Sequence, residues 1–301
     1  MRLLKTDSIE FFGEDDALPT KYAILSHTWG EGEVLFADII NGIARTSKPL
    51  AFSKVESACK QAAQDGYDAI WIDTCCIQKD SSAELSEAIN SMYIWYKHAG
   101  VCYAYLSGIP VGLTPNDSQF YSAVAAAKWF RRGWTLQELL APSNIIFFTE
   151  GWSVLGNKHD LRNVLSSITG IDVDVLEDSR RIELASVAKR MSWAAGRITK
   201  RPEDRAYSLM GIFSINMPML YGEGGTRAFL RLQEEIMKQS FDESLFAWIT
   251  TSTTESTQHG LLADSPDAFQ NSNKMRPYED REQRPPYSMT NRGLSIKLPL
   301  T

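Results

Sequence analysis

Tyr22-Ala23-Ile24-Leu25-Ser26-His27-Thr28-Trp29-Gly30 decides how the chain reads. Its first five residues form a short apolar run, the pattern of a buried strand, and Trp29-Gly30-Glu31-Gly32 is a turn. Strand and helix patterns alternate outward from it. Phe52, Val55, Cys59 and Ala62 recur at helical spacing between Pro49 and Gln64, and Asp65-Gly66 supplies the stop. Residues 67–73 read as a second strand. Ser81-x-x-Glu84 is a capping-box pattern, and the helix it opens carries Leu85, Ile89, Met92, Tyr96 and Ala99 on one face until Gly100. Residues 101–106 are a third strand, residues 121–128 a short helical stretch, residues 134–140 a helix ended by Pro142, and residues 145–148 a fourth strand. This order predicts a mostly parallel α/β sheet with right-handed crossovers and helices on both faces. Such sheets place ligands at the carboxyl ends of their strands, here Ser26-His27-Thr28-Trp29, Asp73-Thr74-Cys75-Cys76 and Ser107-Gly108.

Beyond residue 155 the pattern changes to a helical annex. Leu184, Val187, Ala188, Met191 and Ala195 fall on one helical face, Ala206, Leu209, Met210 and Phe213 on a second, and Phe229, Leu230, Leu232 and Ile236 on a third that Gly224-Gly225-Thr226 opens. Residues 250–259 are polar and low in complexity, the composition of a mobile loop, and residues 294–298 alternate like a strand. The expected division is an α/β core over 1–155, the annex over 156–248, and a polar loop with a final strand over 249–301. A strand so near the end suggests a piece of a longer protein.

Composition narrows the function classes. The 301 residues carry 31 basic and 37 acidic side chains, a net charge of −6, with 44% hydrophobic and 23% charged residues. These values exclude disordered, collagen-like and mucin-like chains and argue against a nucleic-acid partner. No apolar run approaches the roughly 18 residues of a membrane span, and the N-terminus has no signal-peptide core. The cysteines are Cys59, Cys75, Cys76 and Cys102, two of them adjacent, which suits no ordinary disulfide framework and points to a reducing, cytoplasmic setting.

Several groups could carry chemistry. Trp134-x-x-x-Glu138 puts an aromatic plane and a carboxylate one helical turn apart, which suits a ribose bearing a flat cationic base; the plain alternative is a core Trp beside a solvated Glu. Ser26, His27 and Trp29 sit where the first strand ends, and Asp73 closes the second. His27 could bind a ligand or move a proton, or be a hydrogen-bonded loop residue. A Cys75 or Cys76 nucleophile paired with His27 is a third arrangement, set against ordinary packing of buried thiols. The four His show no metal-ligand spacing, so no metal is expected. Tyr221-Gly222-Glu223-Gly224-Gly225-Thr226 has the glycines of a phosphate-cradling loop but lacks its lysine; the alternative is a glycine turn with Gly225 or Thr226 as N-cap. Arg131-Arg132 could meet a pyrophosphate or be a solvated pair.

Taken together, these segments resemble the fungal HET (heterokaryon incompatibility) domain. The resemblance is carried by residues 22–30, by Trp71-Ile72-Asp73-Thr74-Cys75-Cys76-Ile77-Gln78-Lys79-Asp80, and by residues 129–142 with Arg131-Arg132-Gly133-Trp134-Thr135-Leu136-Gln137-Glu138. It continues through residues 205–212, Leu220-Tyr221-Gly222-Glu223-Gly224 and residues 287–294. It implies a domain that triggers cell death when incompatible hyphae fuse, in several members ahead of a nucleotide-binding oligomerisation domain.

The order of segments is also similar, more distantly, to a TIR domain, a flavodoxin-like fold, with Trp134-Thr135-Leu136-Gln137-Glu138-Leu139 resembling its W-C-L-x-E-L pattern. Thr135 stands where Cys is common. That resemblance implies an NAD⁺ hydrolase, active on self-association, with Glu138 catalytic and NAD⁺ as substrate and not as cofactor. Ser26, His27, Trp29, Asp73, Arg131 and Trp134 are the expected substrate contacts. Nicotinamide leaves NAD⁺ as a neutral base, so cleavage needs no acid but does need a carboxylate near the ribose. No GxGxxG follows the first strand, which argues against hydride chemistry. The rival reading is a non-enzymatic signalling module acting through partners, with Glu138 structural.

Overall fold

The computed structural model describes residues 1–13, 15–17, 19–250, 260–277, 287–291 and 293–297. The chain forms two compact units, Met1–Ser179 and Arg180–Thr301.

In the first unit, β1 (Leu4–Lys5) and β2 (Ala23–His27) are followed by the short helices α1 (Phe36–Ile40) and α2 (Ala44–Ser47) and by the long α3 (Pro49–Gln64). Then come β3 (Ala69–Ile72), α4 (Asp73–Cys76), α5 (Ser82–His98), β4 (Val101–Leu106), α6 (Phe120–Ala126), a 3-10 turn at Lys128–Arg131, and α7 (Thr135–Leu140). The unit ends with β5 (Ile145–Thr149), β6 (Val154–Asn157), α8 (Arg162–Thr169) and α9 (Val173–Glu177). The sheet order is β1-β3-β2-β4-β5-β6. The central pairings β3–β2, β2–β4 and β4–β5 are parallel, as the alternation predicted, and the two outer ones are antiparallel.

Why these strands sit in the middle is plain from their burial. Every residue of β2 and β3 is buried, and β4 is buried except at Tyr105. Continuous apolar runs of this kind satisfy a sheet covered on both faces. The chain steps from β2 outward to β3, then crosses back over β2 to β4 and on to β5. With right-handed crossovers, that reversal puts α3 on one face and α5 and α7 on the other; α5 and α7 do pack together. The reversal also opens a crevice between the carboxyl ends of β2 and β4, where open α/β sheets take their ligands.

Ser81 caps α5 as its spacing predicted, its Oγ accepting the Glu84 N–H at 3.4 Å. Glu84 does not complete a box: its carboxylate takes the Gln78 N–H at 2.9 Å and pairs with Arg2. The outer strands β1 and β6 were not expected. β1 has only two residues. β6 begins at the exposed Val154, passes Gly156 at φ 149°, and faces an irregularity between Phe147 and Phe148, so it shows no alternation. β6 pairs with β5, and the first unit extends through α8 and α9 to Ser179, past the expected boundary at residue 155.

The second unit contains α10 (Val187–Ser192), α11 (Asp204–Tyr207), α12 (Gly225–Gln239) and a hairpin of β7 (Ser288–Thr290) with β8 (Gly293–Ser295), besides several 3-10 turns. The helix periodicity in α12 is borne out, with Ala228, Phe229, Leu232, Gln233 and Ile236 buried. The two segments before it are shorter than their spacing suggested, the second splitting into α11 and a 3-10 turn at Met210–Phe213. Residues 251–259 of the polar loop and Leu298 of the final strand lie outside the described residues.

Candidate active site

Glu138 is brought to the end of β2 by the way α7 starts. Thr135 Oγ1 is hydrogen-bonded to the carbonyls of Trp129 and Arg132, which ties the helix start to the preceding 3-10 turn. All six residues of α7 are buried, Glu138 among them with 6% of its surface exposed. Its Oε2 accepts the Ser26 hydroxyl, and Ser26 Oγ accepts the Trp129 indole N–H at 2.7 Å. Tyr96 lies near Glu138, and its hydroxyl donates to the Leu25 carbonyl at 3.1 Å. Burial first, and the charge of Asp73 second, push the Glu138 carboxyl up to about 8, against the opposing effects of Ser26 and Arg132. Glu138 is therefore not the solvated helical Glu of the plain reading.

A second group lies beside it. His27 is the last residue of β2, and its side chain is fully buried. Its Nε2 is 3.7 Å from Glu33 Oε2 and its Nδ1 is 3.9 Å from Asp73 Oδ1. All four of these atoms are buried and without a hydrogen-bond partner. Burial of this kind costs about 1–3 kcal/mol per group unless a ligand or water satisfies it. Glu33 resists neutralisation. Burial raises its pKa, but His27, the Gly30 N–H and Lys54 outweigh that and hold it down at about 2. Lys54 Nζ is 2.6 Å from Glu33 Oε1. Asp73 Oδ2 accepts the Trp29 indole N–H at 2.7 Å. Lys79 Nζ, buried and unpartnered, lies 3.5 Å from the centre of the Trp29 ring, with the Arg132 guanidinium 5.7 Å away.

A cleft of about 460 Å³ opens at these strand ends. Thr28 and Trp29 line it after β2, Tyr105 and Ser107 at the end of β4, and Glu150 after β5, with Lys54, Lys128 and Arg132 as its cations. Its volume lies within the range of small-molecule sites, about 300–1,000 Å³. Of the expected site residues Trp29 is among the described lining residues, and Glu138, Ser26, His27, Asp73, Arg131 and Trp134 are not.

The structure thus gathers Ser26, His27, Trp29, Asp73 and Glu138 in one region. Trp134 is half-buried just before α7, its carbonyl 3.4 Å from the Glu138 N–H, the one-turn spacing expected. Arg131 is exposed, and it is the adjacent Arg132 that faces Trp29 and lines the cleft. Glu33, Lys79, Tyr96 and Trp129 escaped the sequence reading. Tyr96, on the apolar face of α5, had a signal that read as core, and Lys79 and Trp129 fall in stretches that carry the family resemblance without a role assigned to them.

Two further arrangements resolve in favour of structure. Cys75 and Cys76 are buried, Cys76 Sγ accepts the Ile72 N–H at 3.3 Å, and Cys76 beside it, with burial, pushes the Cys75 thiol well above its ordinary value. A thiolate nucleophile is disfavoured there. The glycine loop of the second unit does cradle an anion, but an internal one: the N–H groups of Gly222 and Gly224 donate to Glu203 Oε1 at 2.9 and 3.1 Å. Gly224, at φ 85°, is the N-cap of α12 in place of Gly225 or Thr226.

Fold and site define an α/β domain with a buried carboxyl at the switch point of a mostly parallel sheet. Residues 22–111 match the family described as heterokaryon incompatibility protein (HET), and residues 227–292 match a domain of unknown function, DUF8212. The chain is 40% identical over 280 residues to the vegetative incompatibility protein HET-E-1 of Podospora anserina, across 88% of this chain and 20% of that protein. The chain therefore carries a HET domain, and it spans about one fifth of the length of that relative. No solved structure matches it.

Proposed function

We propose that this chain is the effector part of a vegetative incompatibility protein and that it triggers cell death by hydrolysing NAD⁺. The likeness to HET-E-1 supports the biological role. The chemical role rests on one observation, the carboxyl of Glu138 held by Ser26 at the end of β2. NAD⁺ is the substrate, and the reaction needs no resident cofactor or metal.

The mechanism follows from the leaving group. The nicotinamide–ribose bond breaks with its electron pair going to the ring nitrogen, and the base departs neutral. The cationic ring beside Glu138 favours the ionised carboxyl, offsetting the effect of burial. The carboxylate then faces the oxocarbenium-like ribose in a buried site, where charge stabilisation is strong, and water adds its oxygen to C1′ and gives up a proton to solvent. Ser26 holds the carboxylate in place, and Trp29 and Trp134 offer flat surfaces to the bases. Lys128 and Arg132 suit the pyrophosphate, Arg131 contributing from outside the cleft.

A carboxyl with 6% exposure needs uncovering before it can act. Self-association, driven by a nucleotide-binding oligomerisation domain in a longer chain, would supply that step. Specific activity would then rise with protein concentration, measured as nicotinamide per mole of protein alongside light scattering. A flat value from a monomer would remove the self-association step. The same burial favours a second reading, in which Glu138 is structural and the domain kills by recruiting partners. Nicotinamide release by purified protein separates the two.

A further inference from the structure

Trp29 follows β2 and lines the cleft, with 38% of its surface exposed. Two contacts hold the rest of it. Its indole N–H donates to Asp73 Oδ2 at 2.7 Å, which sets the orientation of the ring. Lys79 Nζ lies over one ring face, 3.5 Å from the centre. That ammonium is buried without a hydrogen-bond partner, and Lys79 is not among the described residues that line the cleft. A cation above an aromatic ring draws on the negative charge of its face. One face of Trp29 is therefore taken, and a planar ligand stacks on the other.

The surrounding charges decide what stacks there. Lys79 pulls π density to its own side of the indole. The Arg132 guanidinium stands 5.7 Å from the same ring centre and lines the cleft. A cationic ring on the open face would meet both charges, one through the indole and one beside it. Asp73 at the indole edge balances one of these cations and not both. Of the lining carboxylates, Glu33 is paired with Lys54 at 2.6 Å, Glu150 takes the Gly108 N–H at 3.0 Å, and Glu31 is exposed. A neutral base meets no such repulsion, and its own π density suits the ring face opposite Lys79.

We propose that the cleft is a nucleotide site that takes a neutral purine on Trp29 and turns cationic nicotinamide away. The phosphates fall to Lys128 and Arg132, because Lys54 is engaged by Glu33. The proposal rests on the reading of this cleft as the entrance for NAD⁺ and fixes the direction of entry. The adenylate half occupies the cleft, and the nicotinamide end reaches on toward Glu138. Adenine nucleotides that carry no nicotinamide meet the same contacts, so they bind here and compete with NAD⁺.

Calorimetric titration of the whole chain with AMP and with nicotinamide mononucleotide tests this, because the two differ only in the base. AMP should bind more tightly. Trp29→Ala should weaken AMP by about tenfold, the scale of one base–aromatic stack, and leave nicotinamide mononucleotide almost unchanged. Lys79→Met keeps the ring and replaces an unpartnered buried ammonium with an apolar chain, so it should fold. It should narrow the preference for AMP by about fivefold. Nicotinamide release from NAD⁺ is read separately. A preference for AMP that the variants erode, without nicotinamide release, upholds this proposal and removes the NAD⁺ reading. Nicotinamide release without AMP binding overturns this proposal and leaves the NAD⁺ reading standing. Equal binding of the two mononucleotides, AMP affinity unchanged in a folded Trp29→Ala, or a preference untouched by Lys79→Met overturns it.

Discussion

Trp129 donates its indole N–H to the Ser26 hydroxyl across 2.7 Å, although 103 residues separate them in sequence. The bond joins the end of β2 to the 3-10 turn ahead of α7, and Ser26 passes it on to Glu138. The position of the carboxyl thus depends on a tertiary contact and not on helix periodicity alone.

Ser26→Ala should therefore cost stability as well as activity. It leaves the Trp129 N–H and Glu138 Oε2 unpaired in a buried region, each at about 1–3 kcal/mol. It also removes a donor that favours the carboxylate, so the Glu138 pKa should rise further. Urea unfolding measures the first effect. A midpoint equal to that of the wild type would mean that water replaces the hydroxyl.

Glu138→Gln should become progressively more stable than wild type as pH rises. The folded carboxyl is raised to about 8 from an ordinary 4.5. Between those values the native state keeps a proton that the unfolded chain has released, so wild-type stability falls with rising pH. The slope approaches about 1.4 kcal/mol per pH unit and levels off above 8. Gln has no such dependence, and every other group is common to both proteins. Parallel unfolding curves from pH 5 to pH 8 would contradict a buried acid.

These two residues show what sequence could and could not convey. The central strands were legible because sheets covered on both faces demand continuous apolar runs, as in Ala23–His27 and Val101–Leu106. The position of Ser26 and Asp73 at strand ends followed from strand order. The burial of Glu138 was not legible, because a helical Glu on a solvated face has the same spacing. Nor was the choice of Arg132 over Arg131, which turns on a 3-10 geometry at Lys128–Arg131 that regular helix spacing does not anticipate. Glu33 carries no motif, Lys79 falls in a family stretch that assigns it no role, and both reach the site through folding of the loops after β2 and α4.

Cys75→Ser and Cys76→Ser should each retain most of the activity. Both thiols are buried, and that of Cys75 is held neutral by its surroundings. A thiol reagent applied to native protein should likewise label neither, with mass spectrometry of digested protein as the readout. A folded, inactive serine variant together with inactivation by alkylation would revive the cysteine nucleophile.

Glu203→Ala should loosen the glycine loop before α12. Burial raises the Glu203 pKa, but the backbone N–H groups of Gly222 and Gly224, among others, bring it below the ordinary carboxylate value. Its stabilising effect is full above the ordinary value and is lost as pH falls through the lowered one. The Gly222 and Gly224 amides should exchange faster with deuterium in the variant at neutral pH. Unchanged protection would mean that the loop holds itself without the carboxylate.

Nicotinamide release from NAD⁺ by concentrated wild-type protein, set against Glu138→Gln of equal helicity, bears most directly on the central claim. The account predicts turnover by the wild type and loss of at least about a hundredfold in the variant, the scale on which removal of one electrostatic stabiliser acts. Equal nicotinamide release by the two folded proteins, or none from either at any concentration, would contradict it.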